Sequence, residues 1–420
     1  MRTSLRDFLS ATALAGLSLL VGCGGGGAAS FFFVNKNTQA IQRDTVTPSG
    51  TRSFLQNPQD KVNGVIYLAP VESMDLQSTP LEGDAGGRSV MLPPGFRASV
   101  VAAGLGRVRD LAVRADGTIF YSEFDGKIMA IPPGGTPTTI DEGLESPHGI
   151  ELHNGSLYYT DETRVYRFDF SSPTGVAGQR AMLTDRMPTG GTHYTRTIRW
   201  VAADRKFYIS IGATSNKNPE SDNQTATVHR MDEKGGKPAV AVYGGLRNTV
   251  AMDIHPSTGE IWGVDNGTEL LSPDLPPTEV NILKLGRFYG WPYYYSQNFR
   301  DPDYMDADTV KYPKNAVPPI IELESHAEAL DMEFYRGAAL GPDWTNAALI
   351  TFHNPDRPKV VRLRAGGNGS NPRVADFMNG FLDAEGRTWG QPVAVTFGPD
   401  GKTIYVSDDR AGAIYRIVRQ

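Results

Sequence analysis

The chain has 420 residues, 40% of them hydrophobic and 21% charged, an ordinary globular balance long enough for one large domain or two smaller ones. A formal net charge of −6 gives no electrostatic case for a nucleic-acid partner. The 46 glycines and 29 prolines suit many short strands joined by turns.

The N-terminus reads as a targeting segment. Arg2 and Arg6 supply a positive region, and Phe8 to Val21 an apolar stretch too short to span a bilayer comfortably. Leu20-Val21-Gly22-Cys23 then resembles a bacterial lipobox, which implies a signal peptide over 1–22 and lipidation at Cys23. A plain secretory signal with a chance cysteine is the alternative. Cys23 is the only cysteine, so no intramolecular disulfide can form. The expectation is an exported cell-envelope protein, held on the periplasmic side or at the outer membrane by its lipid alone. Gly24 to Ser30 forms a flexible tether. Residues 23–91 are read as tether and N-terminal extension, with one strand-like run, Val65 to Leu68, and Phe31-Phe32-Phe33 either buried or near the membrane.

Residues 92–420 repeat one pattern six times. An apolar alternating strand and a polar turn lead to a second strand ending in small or acidic residues. Copies one and two are "RDLAVRADGTIFYSEFDGKIMAI" from Arg109 and "HGIELHNGSLYYTDETRVYRF" from His148. Copies three and four are "TRTIRWVAADRKFYISIG" from Thr195 and "NTVAMDIHPSTGEIWGVDNG" from Asn248. Copy five starts at Ala329 and copy six at Pro392. Alternation means that one face of each strand is buried. Asp116-Gly117, Asn154-Gly155 and Asp400-Gly401 are tight-turn signals. Four strands per copy at roughly 40–60-residue spacing predict an all-β, six-bladed β-propeller. A pair of β-sandwiches is the structural alternative. The last copy lacks an outer strand, and "FRASVVAAG" (Phe96 to Gly104) is the candidate that closes the ring and removes a free edge.

In a propeller the start of each innermost strand lies around one mouth of the central channel. Aligned on their apolar positions, the copies put His193 level with Arg247 and Gly390, followed by Tyr194, Asn248 and Gln391. Arg107, Arg109 and His148 fall close to the same ring. One mouth thus gathers histidine, arginine and amide groups from several blades, as a binding site requires. Arginine forks suit a carboxylate or phosphate. On spacing alone His193 is either a catalytic base or a polar residue at a strand end.

The chain from about Leu92 to Val418 resembles the glucose/sorbosone dehydrogenase family, six-bladed propellers that use pyrroloquinoline quinone (PQQ) and calcium. The residues that carry this are "HYTRTI" (His193 to Ile198), "GLRN" (Gly245 to Asn248), "VDNG" (Val264 to Gly267), "EVN" (Glu279 to Asn281), "FYGWP" (Phe288 to Pro292) and the closing "PDGKTIYVSDDRAGAIYRI". The resemblance implies that His193 is the general base for a substrate hydroxyl and that Arg247 and Asn248 hold PQQ. It implies that Gly267 and Thr268 lend backbone carbonyls to calcium. It further implies oxidation of a sugar or related polyol or aldehyde by hydride transfer to the quinone, with electrons passing to an external cytochrome or quinone. The chain departs from the pattern at Gln391, where family members often carry an arginine, and in the fifth blade, where His353 or Arg357 is the candidate to fill a cofactor-binding place.

Other motifs carry less. "DPDYMDAD" (Asp301 to Asp308) lacks the glycine and closing glutamate of an EF-hand loop and reads as a solvated acidic loop. The tryptophans read as blade packing, with Trp291 near the substrate entrance. Two rival functions stand: a metal-dependent lactonase-like propeller, and a non-catalytic cell-surface binding propeller.

Overall fold

Short segments joined by turns pair as antiparallel strands. Many of them, Ile119–Glu123, Ile261–Asp265 and Ala348–Phe352 among them, are buried along their whole length rather than on one face as alternation suggests, because neighbouring blades cover both faces. A computed structural model describes residues 68–189, 191–304 and 316–420, together with a two-residue strand pair, Phe32–Phe33 with Ile41–Gln42. Cys23, the signal segment, the tether and residues 65–67 lie outside the described residues, as do Asp306 and Asp308.

Six antiparallel sheets follow one another around a ring. Their innermost strands, in blade order, are Val108–Val113, Ile150–His153, Ile198–Val201, Thr249–Ile254, Ala329–Phe334 and Pro392–Phe397. The chain is thus an all-β six-bladed propeller. Blade 3 gains a short parallel strand, Arg287–Phe288, beside Ala239–Gly244. Blade 6 is closed as the sequence suggests: Phe96–Ala103 pairs with Ala413–Arg419, with Ala98 opposite Ile417 and Ala103 opposite Ala413. Asn154 and Gly155 both take positive φ, 48° and 77°, which is the tight hairpin turn their sequence demands.

The extension adds what its sequence hides. Gln77–Glu82 runs parallel to Phe96–Ala103, and Ser89–Leu92 pairs with Gln77–Glu82, so blade 6 is a six-stranded sheet. Upstream, Leu68 bridges Glu322 of blade 4 and Val71 bridges Val374 of blade 5. Thr79 occupies a buried position and Pro80 interrupts the strand, so no apolar period is visible.

Blades are joined by hydroxyls and one amide. Ser122 Oγ donates to His148 O at 2.6 Å, and Thr160 Oγ1 to Arg196 O at 2.6 Å. Thr197 Oγ1 donates to Val250 O at 2.6 Å. Asn266 exchanges two bonds with the Ala329 backbone at 2.8 Å. Thr351 Oγ1 donates to Val393 O at 2.7 Å, and Ser407 Oγ to Arg109 O at 2.8 Å, returning to blade 1. Each bond satisfies a carbonyl at the start of the next innermost strand, a buried group that water cannot reach.

Inside the channel, Arg199 of blade 3 reaches Asp110 of blade 1 at 3.1 Å and Asp331 of blade 5 at 3.0 Å. Asp110 also accepts the Ile150 N–H at 2.9 Å, and Asp331 the Val395 N–H at 3.0 Å. The two carboxylates therefore fasten neighbouring blades while Arg199 offsets their charge. Arg199→Ala would leave both carboxylates buried without a countercharge, at a cost of about 3–5 kcal/mol. Urea unfolding of the variant is expected to show that loss in stability with an unchanged denaturant slope; a loss below 1 kcal/mol would contradict it.

Candidate functional site

The mouth is set from the strand ends inward. In blade 4, the Asp265 carboxylate closes the second strand and accepts Arg247 N–H at 2.9 Å, Asn248 N–H at 2.8 Å and Thr249 Oγ1–H at 2.8 Å. Asp408 plays the same part in blade 6, accepting Gln391 N–H at 2.9 Å. The acidic residue that ends these second strands thus fixes the backbone carrying the predicted site residues.

His193 arrives by a different route. Thr197 stands level with Asp110: each gives its N–H to a second-strand serine, Ser210 at 3.1 Å and Ser122 at 3.2 Å. His193 belongs to an excursion before the strand, three residues ahead of Arg196 as Arg247 is three ahead of Val250. The Arg196 and Val250 carbonyls each take the seam bond from the preceding blade, so the alignment that put His193 level with Arg247 stands. Arg196 holds this excursion. Its buried guanidinium donates to Glu162 O, His193 O, Thr195 O and Pro188 O at 2.9–3.1 Å, with no carboxylate among those partners. Sequence reasoning passed over Arg196, whose only signal was a charged residue where the repeat calls for an apolar one.

The excursion brings His193 beside Arg247 and Asn248 all the same. His193 Nδ1 lies 2.7 Å from Ala213 O, and Ala213 N–H donates to Arg247 O at 2.7 Å. A carbonyl only accepts, so Nδ1 carries the proton and Nε2 keeps its lone pair. Burial, then the Arg247 charge, push the imidazole down to about 4, so it is neutral across the physiological range. Gly212 permits the approach: a Cβ there would stand 2.5 Å from His193 Cβ and 2.9 Å from Asn248 Oδ1.

Arg247 spends three of its five N–H groups inside the site, on Asn216 O at 2.9 Å, Asn216 Oδ1 at 2.6 Å and Asn266 O at 2.8 Å. Thr268 donates to the same Asn216 Oδ1 at 2.9 Å, and Gly267 packs against Pro276. Arg247, Asp265, Gly267, Thr268, Glu279 and Trp291 line a cavity of about 30 Å³, room for one water-sized occupant. Among the described residues no three His, Cys, Asp or Glu side chains converge as metal ligands.

Blades 5, 6 and 1 contribute a second group. Asp409 is shared between Arg109 Nη1 at 2.8 Å and His353 Nε2 at 2.9 Å. Against the cost of burial, bonds to Asp409 and Glu328 hold the His353 imidazole above its ordinary value. Gln391 gives its side-chain N–H to His353 O at 2.8 Å, tying blade 6 to blade 5. Arg357 is exposed and donates to Ser325 O, on the edge strand of blade 4, at 3.0 Å. In the acidic run, Asp301 is buried rather than solvated and pairs with Lys217 at 3.4 Å.

The family described as TrAA12-like matches residues 90–283. A pyrroloquinoline quinone-dependent sugar dehydrogenase of Hypocrea jecorina is 24% identical over 413 residues, covering 84% of this chain and 90% of the relative. An uncharacterized protein of Borreliella burgdorferi is 25% identical over 356 residues, 78% of this chain and 90% of that one. The PQQ domain of a pyranose dehydrogenase from Coprinopsis cinerea, solved in its holo form, superposes with a TM-score of 0.64 at 20% identity, over 84% of this chain and 98% of the domain. The likeness read from the motifs therefore stands: the chain resembles the PQQ-dependent sugar dehydrogenase-like propellers, and its named relatives from Hypocrea and Coprinopsis are dehydrogenases of a sugar and a pyranose.

Gly212→Ala tests how the base is held. The wild-type His193 ring is expected to titrate near 4 by NMR. In the variant the added methyl pushes the ring outward. Relief of burial and then of the Arg247 charge outweighs loss of the Ala213 bond, which favours the protonated ring, so its titration moves back towards the free value of about 6.5. An unchanged titration would show that Gly212 does not set the position of His193.

Proposed function

We propose that the protein is a PQQ- and calcium-dependent dehydrogenase oxidising a sugar or a related polyol or aldehyde. The observation that carries this reading is the tautomer of His193: a neutral imidazole, held through Nδ1 by Ala213 O, with Nε2 free to accept a proton. The named activities of the Hypocrea and Coprinopsis relatives support a sugar as substrate.

The residues present fit a planar, polycarboxylate cofactor. Arg247 keeps two N–H groups outside these hydrogen bonds, with Glu269 3.7 Å from its Nη2, Asn248 stands beside it, and at the same mouth the buried Arg109 Nε and His148 Nδ1 have no hydrogen-bond partner. Arg247 and Asn248 would hold the carboxylates, with Gln391 positioning the His353 loop at the opposite rim. Arg357 would reach the cofactor only by leaving Ser325. Gly267 and Thr268 would offer carbonyl oxygens to calcium. When bound, PQQ supplies the hydride acceptor and calcium polarises its carbonyl.

The chain's own part is to position and to take the proton. His193 Nε2 accepts the proton of the substrate hydroxyl. Ala213 O stabilises the imidazolium that results, through the same Nδ1–H. Arg247 nearby favours return of the ring to its neutral form. Export, lipidation at Cys23 and transfer of electrons to an external cytochrome or quinone complete the proposal.

His193→Gln is expected to lower kcat with a dye acceptor by roughly 10²–10⁴-fold while leaving PQQ affinity within a factor of about two. Dye reduction at the wild-type rate by this variant would remove His193 from the chemistry. Failure of the wild-type protein to bind PQQ in the presence of calcium would favour the non-catalytic binding propeller.

A further inference from the structure

Blade 1 stands opposite blade 4 in a six-membered ring, and its innermost strand carries Arg109 to the mouth that Arg247 reaches from the other side. Arg109 is 9% exposed, and its one side-chain bond is that from Nη1 to Asp409 at 2.8 Å. Its Nε has no partner. His148, at the start of the neighbouring blade, is 3% exposed and its Nδ1 has no partner. Two buried polar side chains on adjacent blades are therefore left incomplete at one place. Native interiors leave few such atoms, and those they leave mark a missing ligand or water.

Gln391 of blade 6 spends its side-chain amide on His353 O at 2.8 Å. Arg109 reaches the same rim from the next blade through Asp409, which His353 shares. Of the other charged groups there, Arg107 pairs with Asp125 at 2.8 Å and Glu328 lies 3.6 Å from His353. Neither one completes Arg109 Nε.

We propose that Arg109, aided by His148, is a second carboxylate clamp for the quinone cofactor, opposite Arg247. This rests on the reading of the protein as PQQ-binding. Arg109 offers its Nε–H and unused Nη hydrogens to one carboxylate while Asp409 fixes the far side of the fork. An anion at this point would be bound by a guanidinium already ordered and dehydrated, so little is lost in immobilising it.

The test is titration of the full chain with PQQ in calcium-containing buffer, followed by cofactor absorbance, with thermal unfolding as the check on folding. Arg109→Gln is expected to weaken PQQ binding about tenfold or more, equivalent to about 1.4 kcal/mol. Arg109→Lys keeps the charge and the pairing with Asp409 but lacks the fork, and is expected to fall between the two. It also carries the test should the glutamine variant fold poorly. If both variants fold and bind PQQ as tightly as the wild type, while Arg247→Gln binds weakly, the clamp at Arg109 is wrong and the cofactor reading survives. If the wild type does not bind PQQ, the cofactor reading fails and this inference fails with it.

Discussion

The ring depends on one repeated bond, a side-chain hydrogen bond from one blade to the first exposed carbonyl of the next. Without it, six carbonyls at the seam would be buried away from both water and any strand partner, at a cost of about 1–3 kcal/mol each. Ser122, Thr160, Asn266, Thr351 and Ser407 supply it from the end of a second strand, and Thr197 supplies it at the seam between blades 3 and 4. The same bonds fix the starts of the innermost strands, where Arg109, His148, Asn248 and Gln391 stand. Architecture and site are therefore set by one device, and a small polar residue in a buried strand end is its mark.

The fold was legible because it rests on local alternation repeated six times, and even the closing strand could be found from Phe96 to Gly104. What failed to show was non-local or non-apolar. The strands at 77–82 and 89–92 bury a threonine and contain a proline, so no period marks them. His193 was legible as a neighbour of Arg247 because the register of blades 3 and 4 puts the two level. The excursion that carries it is held by Arg196 through backbone carbonyls, a role no spacing rule reveals. The Arg109–Asp409–His353 group joins residues some 56 to 300 positions apart in the chain, and nothing local announces it.

Electrostatically the mouth is divided. On one side a neutral histidine sits against a buried arginine: burial, then the Arg247 charge, disfavours a second cation, so His193 stays a base. On the other side an aspartate balances an arginine and a histidine. In a buried setting such pairings are strong and slow to rearrange, which suits a rigid cofactor bound once and used many times. Deeper in the channel, Asp110 and Asp331 are engaged with Arg199 and with backbone N–H groups.

A crystal structure of the protein grown with PQQ and calcium tests the central claim most directly. The account predicts the quinone across the channel mouth, its carboxylates on Arg247 and Arg109 and its reactive carbonyl facing His193 Nε2. An empty mouth, or the cofactor seated on another surface, would contradict it.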